Sequence, residues 1–355
     1  WMAMSTWMLY GANGYTGQLM VEEAARRGET PILAGRRIEV IRPLAERHGL
    51  PYRAFELDDP AAIAQQLADV DAIALAAGPF SATSAPVVEA CLRSGTHYTD
   101  ITGEIDVFEA CAARDAEAKR RGVVLLPGAG FDVVPTDCVA ATLHAALPDA
   151  SELLLAFRGD GSSSRGTTKT MIEALPHGGK VRRDGRLVSV PTAHETREIP
   201  FRDKTRLGVS IPWGDVSTAF QSTGIPNITV FIAVPPKQIS GMKALRHLGP
   251  ALGASLVQRG LKALVEATLT GPDADTRERG SSSIWGRATC ADGRSVEATL
   301  TTPEGYTLTA RTAVDATVRC ARGEVQAGAT TPSLAFGADY ITRFENCDLR
   351  VGDVR

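Results

Sequence analysis

A short apolar run, Trp7-Met8-Leu9-Tyr10, ends in Gly11-Ala12-Asn13-Gly14-Tyr15-Thr16-Gly17, three glycines spaced three apart. A helical pattern follows from Gln18 to Arg27, with Leu19, Met20, Val21, Ala24 and Ala25 as its apolar positions. Strand, glycine turn and helix in this order make a cradle for the pyrophosphate of a dinucleotide. The glycines let the chain turn tightly and let an anion approach the main chain. The new helix offers its free N–H groups and the positive end of its dipole to that anion.

The next 120 residues repeat the strand–helix alternation. Thr30 to Ala34 reads as a second strand, and Ile38 to His48 as a helix ended by Gly49, with Pro43 delaying its start. Tyr52 to Glu56 reads as a third strand, closed by Asp58-Asp59, with Asp59 as the N-cap of a helix from Pro60 to Leu67. Ala72 to Ala76 and Thr96 to Asp100 are strands flanking a helix from Pro86 to Arg93. A long helix from Asp106 to Arg121 leads into a sixth strand, Val123 to Leu126. Six such units predict an α/β fold, a Rossmann-type doubly wound parallel sheet over residues 1–134.

The end of the second strand decides the cofactor. NAD-binding domains place an acid there to accept from the ribose hydroxyls. This chain has Gly35-Arg36-Arg37. Two guanidinium groups suit the 2′-phosphate of NADP. The competing reading is a solvated arginine pair opening the next helix. The expected NADP(H) site therefore comprises Gly11, Asn13, Gly14, Tyr15, Thr16, Gly17, Gly35, Arg36, Arg37, Asp58 and the small-residue turn Gly78-Pro79-Phe80.

After Asp132 the rhythm changes. A helix from Pro135 to Leu147 leads into a predicted mixed α/β domain over 135–305, for substrate binding and dimerisation. It contains a Gly/Ser turn at 159–166 and a helix from Thr167 to Leu175. Leu187–Val190, Val216–Gln221 and Ile228–Val234 look β-like. Lys243 to Thr268 is mostly helical, and its apolar face suits core packing, a partner or a membrane surface. Ile284–Thr289 and Ser295–Thr301 read as a hairpin around Asp292-Gly293. Tyr306 to Ala321 is a strong helix, and 306–355 is expected to return to the first domain.

Composition excludes several classes. The 355 residues carry a net charge of −3, which gives no electrostatic footprint for nucleic acid. No apolar run reaches membrane-spanning length. Six scattered cysteines without a C-x-x-C pair suit reduced thiols in a cytoplasm rather than disulfides or zinc. Trp1 precedes the first methionine, so the first few residues are set aside as a remnant, and no signal-peptide pattern is present.

Together, Gly11–Gly17, Gly35-Arg36, Ala77-Gly78-Pro79-Phe80, His97-Tyr98-Thr99-Asp100 with Gly103-Glu104, and Gly128-Ala129-Gly130-Phe131-Asp132 resemble the saccharopine dehydrogenase-like oxidoreductases, which include trans-acting enoyl reductases. Ser164-Arg165-Gly166-Thr167, Thr302-Pro303-Glu304-Gly305-Tyr306 and Thr331-Pro332-Ser333 are similar to bacterial members. The resemblance implies a Rossmann domain, an inserted α/β domain, NADP and often a homodimer. It names no substrate and carries over no catalytic motif.

For hydride transfer to a C=O or C=N, the protein must position the reactants and supply one proton. No tyrosine has a lysine four residues on, which removes the short-chain dehydrogenase mechanism, and no histidine cluster suggests a metal. Glu104 and Asp132, each beyond a parallel strand, and His177 are the candidate proton carriers. Arg165 and Lys169 are candidate clamps for a substrate carboxylate. The structural alternatives are a helix cap for Asp132 and a helix-dipole role for Glu104. The expected function is an NADP(H)-dependent oxidoreductase holding a small substrate between its two domains. The alternatives are an enoyl reductase on a carrier-bound acyl chain and a silent NADP-binding sensor.

Overall fold

The computed structural model describes residues 5–159, 168, 172, 177–245, 254–268 and 271–355. The chain forms two compact units, and both are assembled from separate stretches of sequence. The first comprises residues 1–134 and 306–337, the second 135–305 and 338–355.

In the first unit the alternation runs β1 (Trp7–Tyr10), α1 (Tyr15–Arg26), β2 (Ile32–Gly35), α2 (Ile38–His48), β3 (Tyr52–Ala54), α3 (Pro60–Gln66) and β4 (Ala72–Leu75). It continues with α4 (Phe80–Ser94), β5 (His97–Asp100), α5 (Ile105–Ala113), α6 (Asp115–Arg121) and β6 (Val124–Leu126). The boundary falls at the start of α7 (Val134–Ala146).

The second unit holds β7 (Glu152–Gly159), β8 (Gly179–Arg183), β9 (Arg186–Val190), β10 (Thr196–Pro200), β11 (Thr205–Ser210), α8 (Asp215–Thr223) and β12 (Asn227–Ala233). After these come α9 (Pro236–Leu245), α10 (Ser255–Thr268), α11 (Ala274–Arg279), β13 (Ser281–Thr289) and β14 (Ser295–Pro303). The chain then supplies the first unit with α12 (Gly305–Ala321), β15 (Gly328–Ala329) and α13 (Pro332–Phe336), and ends with β16 (Asp348–Val351) in the second.

The first sheet is wholly parallel, in the order β15-β6-β5-β4-β1-β2-β3. Its central strands are fully buried, as a parallel sheet covered on both faces requires. Met8, Tyr10, Ile32, Ile73, Leu75, Tyr98 and Leu125 belong to its core. The strand order reverses between β1 and β4. Ligands bind such sheets at this switch point, beyond the carboxyl ends of the strands.

The second sheet has nine strands. Seven follow the order β10-β11-β12-β7-β13-β14-β16, with β8 attached to β12 and β9 attached to β8. Among the described residues, only β12 and β7 pair in parallel in this sheet. One face buries Leu154, Ala156, Ile199, Phe201, Phe231 and Trp285. On the other, Gly286 lets α7 come close: a Cβ there would sit 2.7 Å from Val139 and 2.8 Å from Leu143.

Several boundaries differ from the sequence reading. The helix expected over 86–93 starts at Phe80 and keeps Pro86 inside it, and α2 likewise runs through Pro43. The long helix expected over 106–121 breaks at Arg114, which lets Asp115 accept from the Ala329 backbone N–H in β15 at 3.0 Å. Residues 216–221, read as β-like, are helix α8. The apparent alternation hid Val216, Ala219 and Thr223, buried at helical spacing. Strands β10 and β11 were not anticipated. Of the helix expected over 243–268, the described residues belong to helices Pro236–Leu245 and Ser255–Thr268, and 246–253 lie outside the described residues. The helix expected over 167–175, with Arg165 and Lys169, lies outside the described residues apart from 168 and 172. Of the segment expected to rejoin the first domain, 338–355 instead joins the second, because β16 pairs with β14. Among the described residues, no helix is long and apolar enough to cross a membrane.

Candidate functional site

The glycine turn joins β1 to α1 as a compact knot. Gly11 has φ +88°, and a Cβ on it would fall 2.8–2.9 Å from the main chain of Ala76 and Ala77, beyond β4. A Cβ on Gly17 would fall 2.1 Å from the Gly11 carbonyl oxygen. These two glycines allow the turn and the first helical turn to lie against each other. Gly14 is the N-cap of α1. It supplies no side chain, and the first turn holds no acid. An anion therefore meets backbone N–H groups and a positive dipole end with no competing carboxylate in that turn. Asn13 braces the turn, its carbonyl accepting from Gln18 Nε2 at 3.0 Å.

At the end of β2, a Cβ on Gly35 would meet Ile41 at 2.8 Å and Asn13 Oδ1 at 3.3 Å. Arg36 and Arg37 follow, both exposed, and no acid stands between β2 and α2. Asp58 is exposed beyond β3. Tyr10 fixes this side of the sheet, donating its hydroxyl to the Phe55 carbonyl at 2.6 Å. Burial holds that phenol protonated, its pKa raised, with Glu56 adding to the effect and Arg36 opposing it.

Beyond β4, Gly78 and Pro79 are exposed and Phe80 is half-buried. Here the structure gives Glu104 a definite task. Its carboxylate accepts from the backbone N–H groups of Phe80 at 2.9 Å and Ser81 at 2.7 Å, so it caps α4 rather than its own helix. Beyond β5, Asp100 is buried. It accepts from the Tyr98 hydroxyl at 2.5 Å, from Thr102 N–H at 3.0 Å and from Gly128 N–H at 2.7 Å. Burial pushes its carboxyl up to about 6 against these lowering hydrogen bonds. Tyr98 and Asp100 point the same way because alternate residues of a strand share a face.

Asp132 lies in the turn after β6, beside Gly103. A Cβ on Gly103 would sit 2.8 Å from Asp132 Oδ2. The carboxyl is partly open to solvent, yet crowded enough for desolvation to push its pKa up to about 7. Helix α12 secures that turn: Thr309 Oγ1 accepts from Phe131 N–H at 2.9 Å, and Thr312 donates to the Ala129 carbonyl at 2.8 Å. Tyr306 meets Tyr15 edge to face at 5.0 Å. These three contacts come from a helix more than 170 residues along the chain, so the sequence reading missed them. His177 belongs to the second unit, exposed just ahead of β8. Among the described residues no cluster suits a metal ion.

Residues 7–126 match the saccharopine dehydrogenase NADP binding domain. The matched stretch lies within the first unit and contains its strands β1 to β6. Over 192 residues the chain is 32% identical to a candidate trans-acting enoyl reductase of Mycobacterium tuberculosis, covering 47% of this chain and 43% of that protein. Over 150 residues it is 31% identical to the saccharopine dehydrogenase-like oxidoreductase of Mus musculus, covering 37% of this chain and 35% of that protein. The chain thus spans less than half the length of the curated relatives it matches. Among solved structures, apo saccharopine dehydrogenase (L-Glu forming) from Saccharomyces cerevisiae superposes with a TM-score of 0.65 at 14% identity, covering 98% of this chain and 100% of that one, which shows the shared fold.

The NADP-binding domain fits its cofactor on the geometry of this chain. The uncapped helix start suits a pyrophosphate, and the arginine pair at the end of β2 suits an additional phosphate. Of the two carboxylates marked in the sequence, Glu104 already spends both oxygens on α4. Asp132 keeps a pKa near neutrality, the range in which one group can both give and take a proton.

Proposed function

We propose that the chain is an NADP(H)-dependent oxidoreductase acting on a small carbonyl or imine compound, with Asp132 carrying the proton. The observation that supports this most strongly is the pairing of an open helix start at Gly14 with Gly35-Arg36-Arg37 in place of an acid. The backbone at the start of α1, around Tyr15 and Thr16, holds the pyrophosphate, and Arg36 and Arg37 hold the 2′-phosphate. The bound cofactor supplies a hydride. Asp132, protonated for much of the time near neutral pH, gives its proton to the oxygen or nitrogen on which charge develops, and it recovers a proton from water.

Nicotinamide fluorescence during titration with NADPH and with NADH tests the cofactor half. NADPH is expected to bind more tightly, and Arg36→Ala to weaken NADPH by about 10- to 100-fold while leaving NADH nearly unchanged. Equal losses for both cofactors would end the phosphate role. Asp132→Asn is expected to lower kcat by about 100-fold or more with NADPH binding retained.

The likeness to an enoyl reductase favours a second reading, reduction of a carrier-bound enoyl chain. An NADPH-oxidation screen with carbonyl, imine and enoyl-thioester compounds separates the two. Binding without turnover on any of the three classes would leave a sensor module.

A further inference from the structure

Asp100, at the end of β5, is bonded into both loops that enclose Asp132. Its Oδ1 accepts from Thr102 N–H at 3.0 Å in the loop after β5, and from Gly128 N–H at 2.7 Å in the loop after β6. Its own carbonyl accepts from Ala129 N–H at 2.7 Å, and its Oδ2 from the Tyr98 hydroxyl at 2.5 Å. The loop after β5 is stiffened by Glu104 N–H donating to Thr102 Oγ1 at 3.0 Å. It presses on Asp132 through Gly103, where a Cβ would sit 2.8 Å from Asp132 Oδ2. The loop after β6 carries Asp132 itself. It has little room to relax, since a Cβ on Gly128 would fall 2.6 Å from Val133 and 2.8 Å from Phe108. One carboxylate oxygen therefore ties the loop that bears Asp132 to the loop it rests against.

The donors around Asp100 suit one charge state. An ionised carboxylate only accepts, and three donors meet it here. A proton on Oδ2 would confront the Tyr98 hydroxyl, and both groups are buried, so neither can turn to water. It would also reduce the two bonds at Oδ1 from charge-assisted to neutral, at about half the strength. Burial opposes the ionised form and pushes the carboxyl up to about 6, within reach of ordinary pH changes. The surrounding titratable groups vary little across that range. Burial keeps Tyr98 on the same strand, Cys91 on α4 and Cys111 on α5 protonated. Glu104, fixed on α4, raises the Asp100 pKa further, and Arg114, paired with Glu89 and Glu117, acts on Cys111. On β4 the neighbour is Leu75, and α12 brings Thr309 and Thr312 to the loop after β6. We infer that Asp100 is a positioning residue for the proposed reaction: its ionised carboxylate clasps the two loops that hold Asp132, and protonation loosens the clasp. The inference rests on Asp132 as the proton carrier for its chemical meaning, and on the hydrogen bonds of Asp100 for its mechanism.

A pH titration of amide resonances in the ¹⁵N-labelled full chain tests this without any substrate. The Gly128 and Thr102 amide protons are expected to move together in one step near pH 6. Gly103 should follow a separate step near pH 7 that Asp132→Asn removes. Asp100→Asn fixes the neutral form. It should abolish the shared step and cut the Gly103 response to Asp132 by about half or more, as neutral bonds hold the loops less firmly. Tyr98→Phe keeps the charge and removes a hydrogen bond that lowers the Asp100 pKa, so the shared step should move to higher pH at both amides. This second variant carries the test if Asp100→Asn does not fold, which NADPH binding checks. Three results would overturn the inference: no step at Gly128 and Thr102, steps at different pH for the two amides, or a Gly103 response that Asp100→Asn leaves unchanged. Unaltered turnover by Asp132→Asn would instead end the proton-carrier role, whatever the amides show, so the two failures are told apart.

Discussion

At the scale of single residues, the carboxyls beyond the parallel strands set the pH behaviour. Asp132 has its pKa raised to about 7 in the folded chain. The unfolded chain releases that proton at an ordinary carboxylate pKa of about 3.9. Between those values the folded state holds a proton the unfolded state has lost, so this group lowers stability as pH rises. Asp132→Asn removes the effect. Its melting temperature should match that of the parent near pH 4 and exceed it at pH 8, by an amount equivalent to about 1–3 kcal/mol because the carboxyl is partly solvated. A constant difference across that range would show that Asp132 keeps an ordinary pKa. Gly17 marks the opposite kind of residue, fixed by space rather than charge. Gly17→Ala must push the helix off the Gly11 carbonyl, and it is expected to cost about 1–3 kcal/mol and to weaken NADPH at least tenfold, read by thermal melting and fluorescence titration.

At the scale of elements, α12 does for the first unit what its own β–α alternation cannot. Glu23 on α1 is 7% exposed and pairs with Arg26 and Arg27, and Arg27 also reaches Asp315 on α12 at 2.8 Å. Although burial opposes them, the arginine hydrogen bonds hold the Glu23 carboxyl below its usual range. Its contribution is therefore present above the ordinary carboxylate pKa and is lost as pH falls through the lowered one, the reverse of Asp132. Arg27→Ala removes the bridge to α12 and one partner of a buried acid. It is expected to cost about 1–3 kcal/mol in urea denaturation at pH 7, with a loss that shrinks as pH falls through the lowered Glu23 pKa. A loss that does not change with pH would mean that packing of the arginine stem, not charge, is what the substitution removes.

For the whole molecule, discontinuity is the governing fact, since each unit needs chain that arrives from beyond the other. A chain ending at residue 304 lacks α12 and β15 from the first sheet and β16 from the second. It uncovers a helix-binding face that buries Leu308, Ala313, Val314 and Thr317, the last meeting Thr99 at 2.7 Å. Such a chain is expected to lose NADPH binding and cooperative melting together. Retention of either would show that the β–α alternation suffices alone. The sequence by itself determined what short-range physics controls: the parallel strands, the glycine turn at 11–17, the arginines after β2 and the cofactor family, because each is written within some 30 consecutive residues. Tertiary structure alone decided what pairs across the chain. It placed the Glu104 carboxylate on α4 and buried Asp100 between two loops. It brought Thr309 and Thr312 to the Asp132 turn and sent 338–355 to the second unit. A carboxylate in a sequence carries no mark of which distant N–H groups will reach it. Its partner and its pKa are fixed only when the sheet brings the loop ends together and excludes water from them.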